Sequence, residues 1–129
     1  MESFEFLRES QIFYVSTIND GKPERRPFGA VMEHAGVLYI TTAKTKEVYK
    51  QMIKVPHIQI VALKPNAREW ISINGSAVEE PDLKLKERML SENPILNKHF
   101  SLDDANYALF KITDIAASIF DDKGARSIN

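Results

Sequence analysis

Apolar and polar residues alternate along this chain with two different periods, and the changes of period mark out its elements. Ile12 to Ile18 (Ile-Phe-Tyr-Val-Ser-Thr-Ile) is rich in β-branched and aromatic side chains, which suit a pleated strand. Asn19-Asp20-Gly21-Lys22 follows with the Asx and Gly chemistry of a hairpin turn, and a second strand is expected from Pro23 to Met32. Glu33-His34-Ala35-Gly36 then turns into a third, Val37 to Thr42. From Thr45 the period becomes helical: Val48, Tyr49, Met52 and Ile53 share a face, so residues 45–54 read as a helix that Pro56 ends. His57 to Leu63 is a fourth strand, and Lys64-Pro65-Asn66-Ala67 a loop. The fifth, Glu69 to Val78, sets Ile71, Ile73 and Ala77 on one face against Trp70, Ser72, Asn74 and Ser76 on the other.

Phe4, Phe6 and Leu7 predict a short amphipathic helix over 2–10. Residues 81–97 read as helix with a break at Asn93-Pro94, and two strands, 106–113 and 115–120, close the chain. That is about seven strands joined mostly by short turns, with three helices. Strands and helices do not alternate, which argues against a parallel doubly wound sheet. The expectation is a mainly β domain with flanking helices, built as a small antiparallel barrel that covers its own edges.

Composition narrows the function. The 129 residues suit a single domain over 1–129. Seventeen basic against eighteen acidic residues leave a net charge of -1, which provides no bulk attraction to nucleic acid or an anionic membrane. The absence of cysteine excludes disulfides, a thiol nucleophile and cysteine-ligated metal. Apolar runs are far shorter than the roughly 20 residues of a membrane span, and Met1-Glu2-Ser3-Phe4-Glu5 does not resemble a secretory signal. A soluble, cytoplasmic domain is expected.

The most informative stretch is Thr41-Thr42-Ala43-Lys44-Thr45-Lys46, where a strand runs into a helix start. Free N–H groups at a helix N-terminus, threonine hydroxyls and lysines together make a phosphate cradle. The plainer alternative is a solvated lysine face with Thr45 as an N-cap. Lys22, Arg25 and Arg26 form a second basic cluster beside Pro27, which belongs at an edge or bulge. Such an edge suits either recognition of a planar heterocycle or protection against aggregation. Trp70, the only tryptophan, sits among polar neighbours and reads either as an interface or stacking residue or as the end of the core. His34, His57 and His99 match no metal-ligand spacing, so no metal is expected. No nucleophile elbow, P-loop or dinucleotide fingerprint is present.

Taken in order, "FYVSTI", "NDGKP", "RRPFGAVME", "GVLYITTAKTKEVYKQM", "PHIQIVAL" and "EWISINGSAVEE" resemble the pyridoxamine 5'-phosphate oxidase-related flavoproteins over about residues 1–120. The resemblance is nearest to their short nitroimidazole-resistance (Nim-like) members. It implies the FMN-binding split β-barrel and a homodimer with FMN at the subunit interface. It places Arg26, Pro27, Phe28 and Gly29, with Arg25 beside them, along the isoalloxazine. Thr41, Thr42, Lys44, Thr45 and Lys46 fall at the ribityl and phosphate groups, and Trp70 reaches the flavin from the second subunit. Where the oxidases carry an Arg-Lys pair, this chain has Lys46 and then Glu47. The oxidases also use a further C-terminal portion to hold the substrate phosphate, whereas this sequence runs only to Asn129, so pyridoxamine phosphate itself is not the expected substrate.

The implied activity is electron transfer from a reduced nicotinamide to a small-molecule acceptor, with no named general acid or base. The rivals are a flavin-, heme- or deazaflavin-binding carrier or sensor without turnover, and a small barrel that binds single-stranded nucleic acid. The slightly negative net charge disfavours the second.

Overall fold

In a computed structural model, residues 1–65 and 68–128 are described. The chain runs α1 (Glu2–Ser10), β1 (Phe13–Asn19), β2 (Lys22–Phe28), β3 (Val31–His34), β4 (Val37–Ala43), α2 (Glu47–Lys54), β5 (His57–Leu63), β6 (Trp70–Glu79), α3 (Leu83–Glu92), a 3-10 turn (Pro94–Lys98), β7 (Tyr107–Asp121) and β8 (Gly124–Ile128). Asn66 and Ala67 of the expected loop, and Asn129, lie outside the described residues.

One antiparallel sheet holds all eight strands among the described residues, in the order β2-β1-β5-β6-β7-β4-β3, with β8 added on β7. The two ends of that path, β2 and β3, are consecutive in the chain. They meet at the corner Gly29–Ala30 without pairing, so the barrel is split there. Alternating side chains fill its interior: Phe13, Val15, Ile40, Ile60, Ile71, Ile73 and Phe110 are all fully buried. A second, smaller core (Met32, Tyr39, Met89, Tyr107 and Leu109) lies where α3 and the 3-10 turn cover β3, β4 and β7.

The tight turns follow from local chemistry. Asp20-Gly21 and Ala35-Gly36 both take positive φ at two successive residues, the conformation a two-residue hairpin loop demands. Four expected boundaries move. The strand foreseen over Pro23–Met32 is two, β2 and β3, because the chain leaves one end of the sheet at Gly29 to join the other. The strands foreseen over 106–113 and 115–120 are one long β7. It passes through a bulge where Asp114 takes φ 53° opposite Gly75, whose missing Cβ would lie 2.8 Å from Ile112 Cγ2. The helix foreseen from Thr45 begins at Glu47, so Lys44, Thr45 and Lys46 stay in the loop before it. The helix foreseen from Pro81 begins at Leu83, capped by the Asp82 carboxylate on the Lys84 N–H at 2.8 Å. β8 carries no periodic signal: Gly124, Ala125, Arg126 and Ser127 are exposed, and β7 alone makes them a strand.

Candidate functional site

The corner between β2 and β3 is extended backbone up to Phe28, since Pro27 restricts Arg26 and lacks an N–H for the ladder. That corner faces the end of β4 and the loop entering α2. Between them lies a cavity of about 590 Å3. Arg26, Pro27, Phe28, Gly29 and Ala30 form one wall, and Thr41, Thr42, Ala43, Thr45, Lys46 and Val48 the second. Ile95, Leu96, His99 and Phe100 from the connector after α3 form the third, with Asn106 at its end. The size falls in the range of small-molecule sites, roughly 300–1,000 Å3.

The walls differ in chemistry. Lys46, the N-cap of α2, supplies no side-chain cap to the helix and makes no ion pair among the described residues. Its positive charge is therefore available to the cavity, next to helix amides that have no capping side chain. Thr41 donates its hydroxyl to the Ala108 carbonyl at 2.6 Å, fixing β4 to β7, while the Thr42 hydroxyl has no protein partner among the described residues. The Lys44 N–H donates to the Asn106 carbonyl at 2.8 Å, and the Thr45 N–H to Asn106 Oδ1 at 3.0 Å. Away from this polar corner Phe28, Ala30, Ile95, Leu96 and Phe100 supply apolar lining, with the His99 imidazole among them.

Arg26 points inward, on the same side of β2 as its partner Val15 on β1. Its guanidinium donates to the Val15 carbonyl (3.1 Å), the Thr17 hydroxyl (2.7 Å) and Gln51 Oε1 (3.1 Å). Burial draws its pKa down, and the Glu24 carboxylate opposes that shift. Most of its donors are thus committed inside the chain, tying β1 and β2 to α2.

Three of the eleven residues that the resemblance assigned to the flavin site lie outside the cavity lining. Arg25 alternates with Arg26 and is exposed, beside Ser16 on the outer face. Lys44 turns to Glu79 (3.4 Å), which also accepts the Tyr49 hydroxyl at 2.7 Å; that bond, then burial, raises the Tyr49 pKa. Trp70 stacks on Phe120 with ring centroids 4.0 Å apart and planes within 9°. It is 38% exposed on the outer face of β6, so it does not belong to the core. The remaining eight, Arg26, Pro27, Phe28, Gly29, Thr41, Thr42, Thr45 and Lys46, converge on one cavity. Sequence reasoning missed Asn106 and the 95–100 wall, which carry no motif and lie some fifty to sixty residues along the chain from Lys46.

No candidate metal cluster occurs among the described residues, and no described helix is long and apolar enough to cross a membrane.

Comparison with solved structures places this arrangement among known barrels. A NimC/NimA family protein from Clostridium acetobutylicum superposes with a TM-score of 0.92 at 34% identity, covering 98% of this chain and 91% of that one. General Stress Protein 26 from Bacillus anthracis shares the fold at 20% identity (TM-score 0.77, 98% of this chain and 97% of that one). So does a heme-binding protein from Mycobacterium smegmatis at 12% identity (TM-score 0.79), where all of this chain covers 58% of the other. A search of curated proteins finds no match. Residues 2–114 match the family described as pyridoxamine 5'-phosphate oxidase, and, as the split barrel also indicates, the chain belongs to that family.

Proposed function

We propose that this chain is an FMN-dependent oxidoreductase that works as a homodimer and passes electrons from a reduced nicotinamide to a small acceptor. The observation that carries the reading is the two-sided cavity. Lys46, without an ion pair among the described residues, and a polar loop line one wall, and Phe28, Ala30, Ile95 and Phe100 add apolar lining from the other two. That pairing fits a flat ring system bearing a phosphate. Lys46, Thr42 and the first amides of α2 would hold the phosphate end. Pro27, Phe28 and Gly29 would lie along the ring, with Thr41 fixing the strand beneath it. FMN, when bound, supplies the redox chemistry; the chain supplies orientation, a cationic field and exclusion of water.

The dimer rests on the outer face of the sheet. Leu63, Trp70 and Phe120 are in register across β5, β6 and β7, with Tyr14 and Val61 in the next row. Tyr14, Leu63 and Trp70 are exposed there, an apolar and aromatic surface of the kind that subunit interfaces bury. Through it Trp70 would reach the flavin of the partner subunit, with Arg25 and Lys44 adding positive charge around the site.

The test is the absorption spectrum of the purified protein. Flavin bands, with FMN released on denaturation and identified by chromatography, are expected. A protein that carries no flavin and takes up none from added FMN overturns the reading. A heme Soret band would instead favour a second one, in which the His99 imidazole in the cavity wall would hold the iron.

A further inference from the structure

Asn106 holds the loop before α2 from two sides. Its carbonyl accepts the Lys44 N–H at 2.8 Å and its side-chain Oδ1 accepts the Thr45 N–H at 3.0 Å. Asn106 is itself fixed, its own N–H donating to Asp104 Oδ1 at 2.8 Å. The next residue, Tyr107, pairs with Ala43 in the β7–β4 ladder, so the clamp is anchored in the sheet. A backbone N–H can donate only to an acceptor. The amide of Asn106 must therefore present its oxygen to Thr45, and this leaves its NH2 group on the other side. That group has no hydrogen-bond partner among the described residues, and Asn106 lines the cavity beside Lys46.

We infer that Asn106 is a dual residue of the anion seat: its Oδ1 sets the loop that carries Thr45 and Lys46, and its NH2 group donates to the phosphate monoester bound there. The inference rests on the proposed FMN reading and deepens it, because it makes the site selective for a phosphorylated ligand over its dephosphorylated form. The other N–H groups of the loop cannot serve. Those of Lys44 and Thr45 are taken by Asn106, and that of Lys46 donates to the Ala43 carbonyl at 3.0 Å. The phosphate is left to the Lys46 ammonium, the Thr42 hydroxyl, the start of α2 and this one side-chain amide.

Two variants separate the two roles. Asn106→Ala removes both the clamp and the donor. Asn106→Asp keeps an acceptor for the Thr45 N–H but removes the donor and adds a negative charge facing the phosphate. Titration with FMN and with riboflavin should show FMN weakened about tenfold or more in Asn106→Ala and further in Asn106→Asp, from loss of a charge-assisted hydrogen bond and then repulsion. Riboflavin binding should stay within about twofold in both, having no phosphate to lose. Hydrogen exchange at the Thr45 amide should accelerate in Asn106→Ala and stay slow in Asn106→Asp. FMN affinity unchanged in Asn106→Asp, or FMN and riboflavin weakened together, overturns the ligand contact. Slow Thr45 exchange in Asn106→Ala overturns the clamp.

If the wild-type protein takes up neither flavin, the FMN reading fails on its own, and inorganic phosphate becomes the probe. Phosphate-induced shifts of the Thr45 and Lys46 amides that vanish in Asn106→Asp sustain the anion seat. No shift in the wild-type protein overturns it.

Discussion

Arg26 on β2 donates through its guanidinium to Oε1 of Gln51 on α2, 25 residues away, at 3.1 Å. Gln51 is 6% exposed and is held on both ends of its amide: Oε1 also accepts from the Thr17 hydroxyl, and Nε2 donates to Glu24 at 2.8 Å. The bond joins the two elements that flank the cavity, so it sets their separation. Gln51→Leu should leave Thr17 and Arg26 partly unsatisfied and cost about 1–3 kcal/mol in denaturant unfolding. Arg26→Lys should cost a similar amount, since an ammonium cannot reproduce the guanidinium's spread of donors. Because both changes break one network, a double-mutant cycle should show coupling of at least about 0.5 kcal/mol. Strict additivity would mean that the bond contributes nothing to the fold.

Lys46 makes no ion pair among the described residues, so its replacement should affect ligand more than stability. Lys46→Glu would turn the proposed phosphate contact into a repulsion at a helix N-terminus. FMN affinity should fall by about 1.5–3 kcal/mol or more, while the apo-protein melts within about 1 kcal/mol of wild type. Paired FMN titration and thermal melting check this, and an unchanged titration removes Lys46 from the site.

Trp70 stacks on Phe120 on the outer face, and this changes what its loss should do. Trp70→Ala should cost the free subunit only about 0.5–1.5 kcal/mol, the worth of an aromatic pair at a half-exposed position. The dimer should suffer more. Sedimentation of the wild-type protein should give about twice 14.7 kDa, and that of the variant a shift toward the single chain. Indole fluorescence, which here comes from one residue, should be quenched when FMN binds. A wild-type monomer that still binds FMN contradicts the shared site.

Tyr107 makes stability fall at alkaline pH. It is fully buried, its hydroxyl donates to the Lys86 carbonyl at 2.7 Å, and burial pushes its pKa from 10 up to about 12. A folded-state value above the unfolded one favours the neutral phenol in the native protein. Its contribution is therefore whole below pH 10 and is lost as pH rises from 10 to 12, at about 1.4 kcal/mol per unit. Tyr107→Phe should be about 1 kcal/mol less stable at neutral pH for want of the hydrogen bond, yet lose less on going to pH 12. Denaturant midpoints from pH 9 to 12 in both proteins give the comparison. Parallel curves would show that Tyr107 does not titrate on unfolding.

What could be read in the sequence was whatever a short run of residues decides by itself. The alternation in β1 and β6 needs no knowledge of its partners, because a pleated strand with one buried face has period two wherever it lies. Asp20-Gly21 announces its turn because few other pairs tolerate two positive φ angles in succession, whereas at Ala35-Gly36 only the glycine suits the conformation and Ala35 is held in it. The polar wall, Thr41 to Lys46, and the corner Arg26 to Gly29 could be read for the same reason, as each is one continuous segment.

Tertiary structure decided everything that depends on what stands opposite. β7 continues through Asp114 only because Gly75 leaves room for the bulge, and β8 is a strand only because β7 offers an unpaired edge. Lys44 and Lys46 are indistinguishable in composition and two residues apart; packing turns one to Glu79 and leaves the other at the cavity. Asn106 belongs to the site because the β4–β7 ladder carries it to Thr45 across 61 residues, a placement made by hydrogen bonds between strands and not by any local preference.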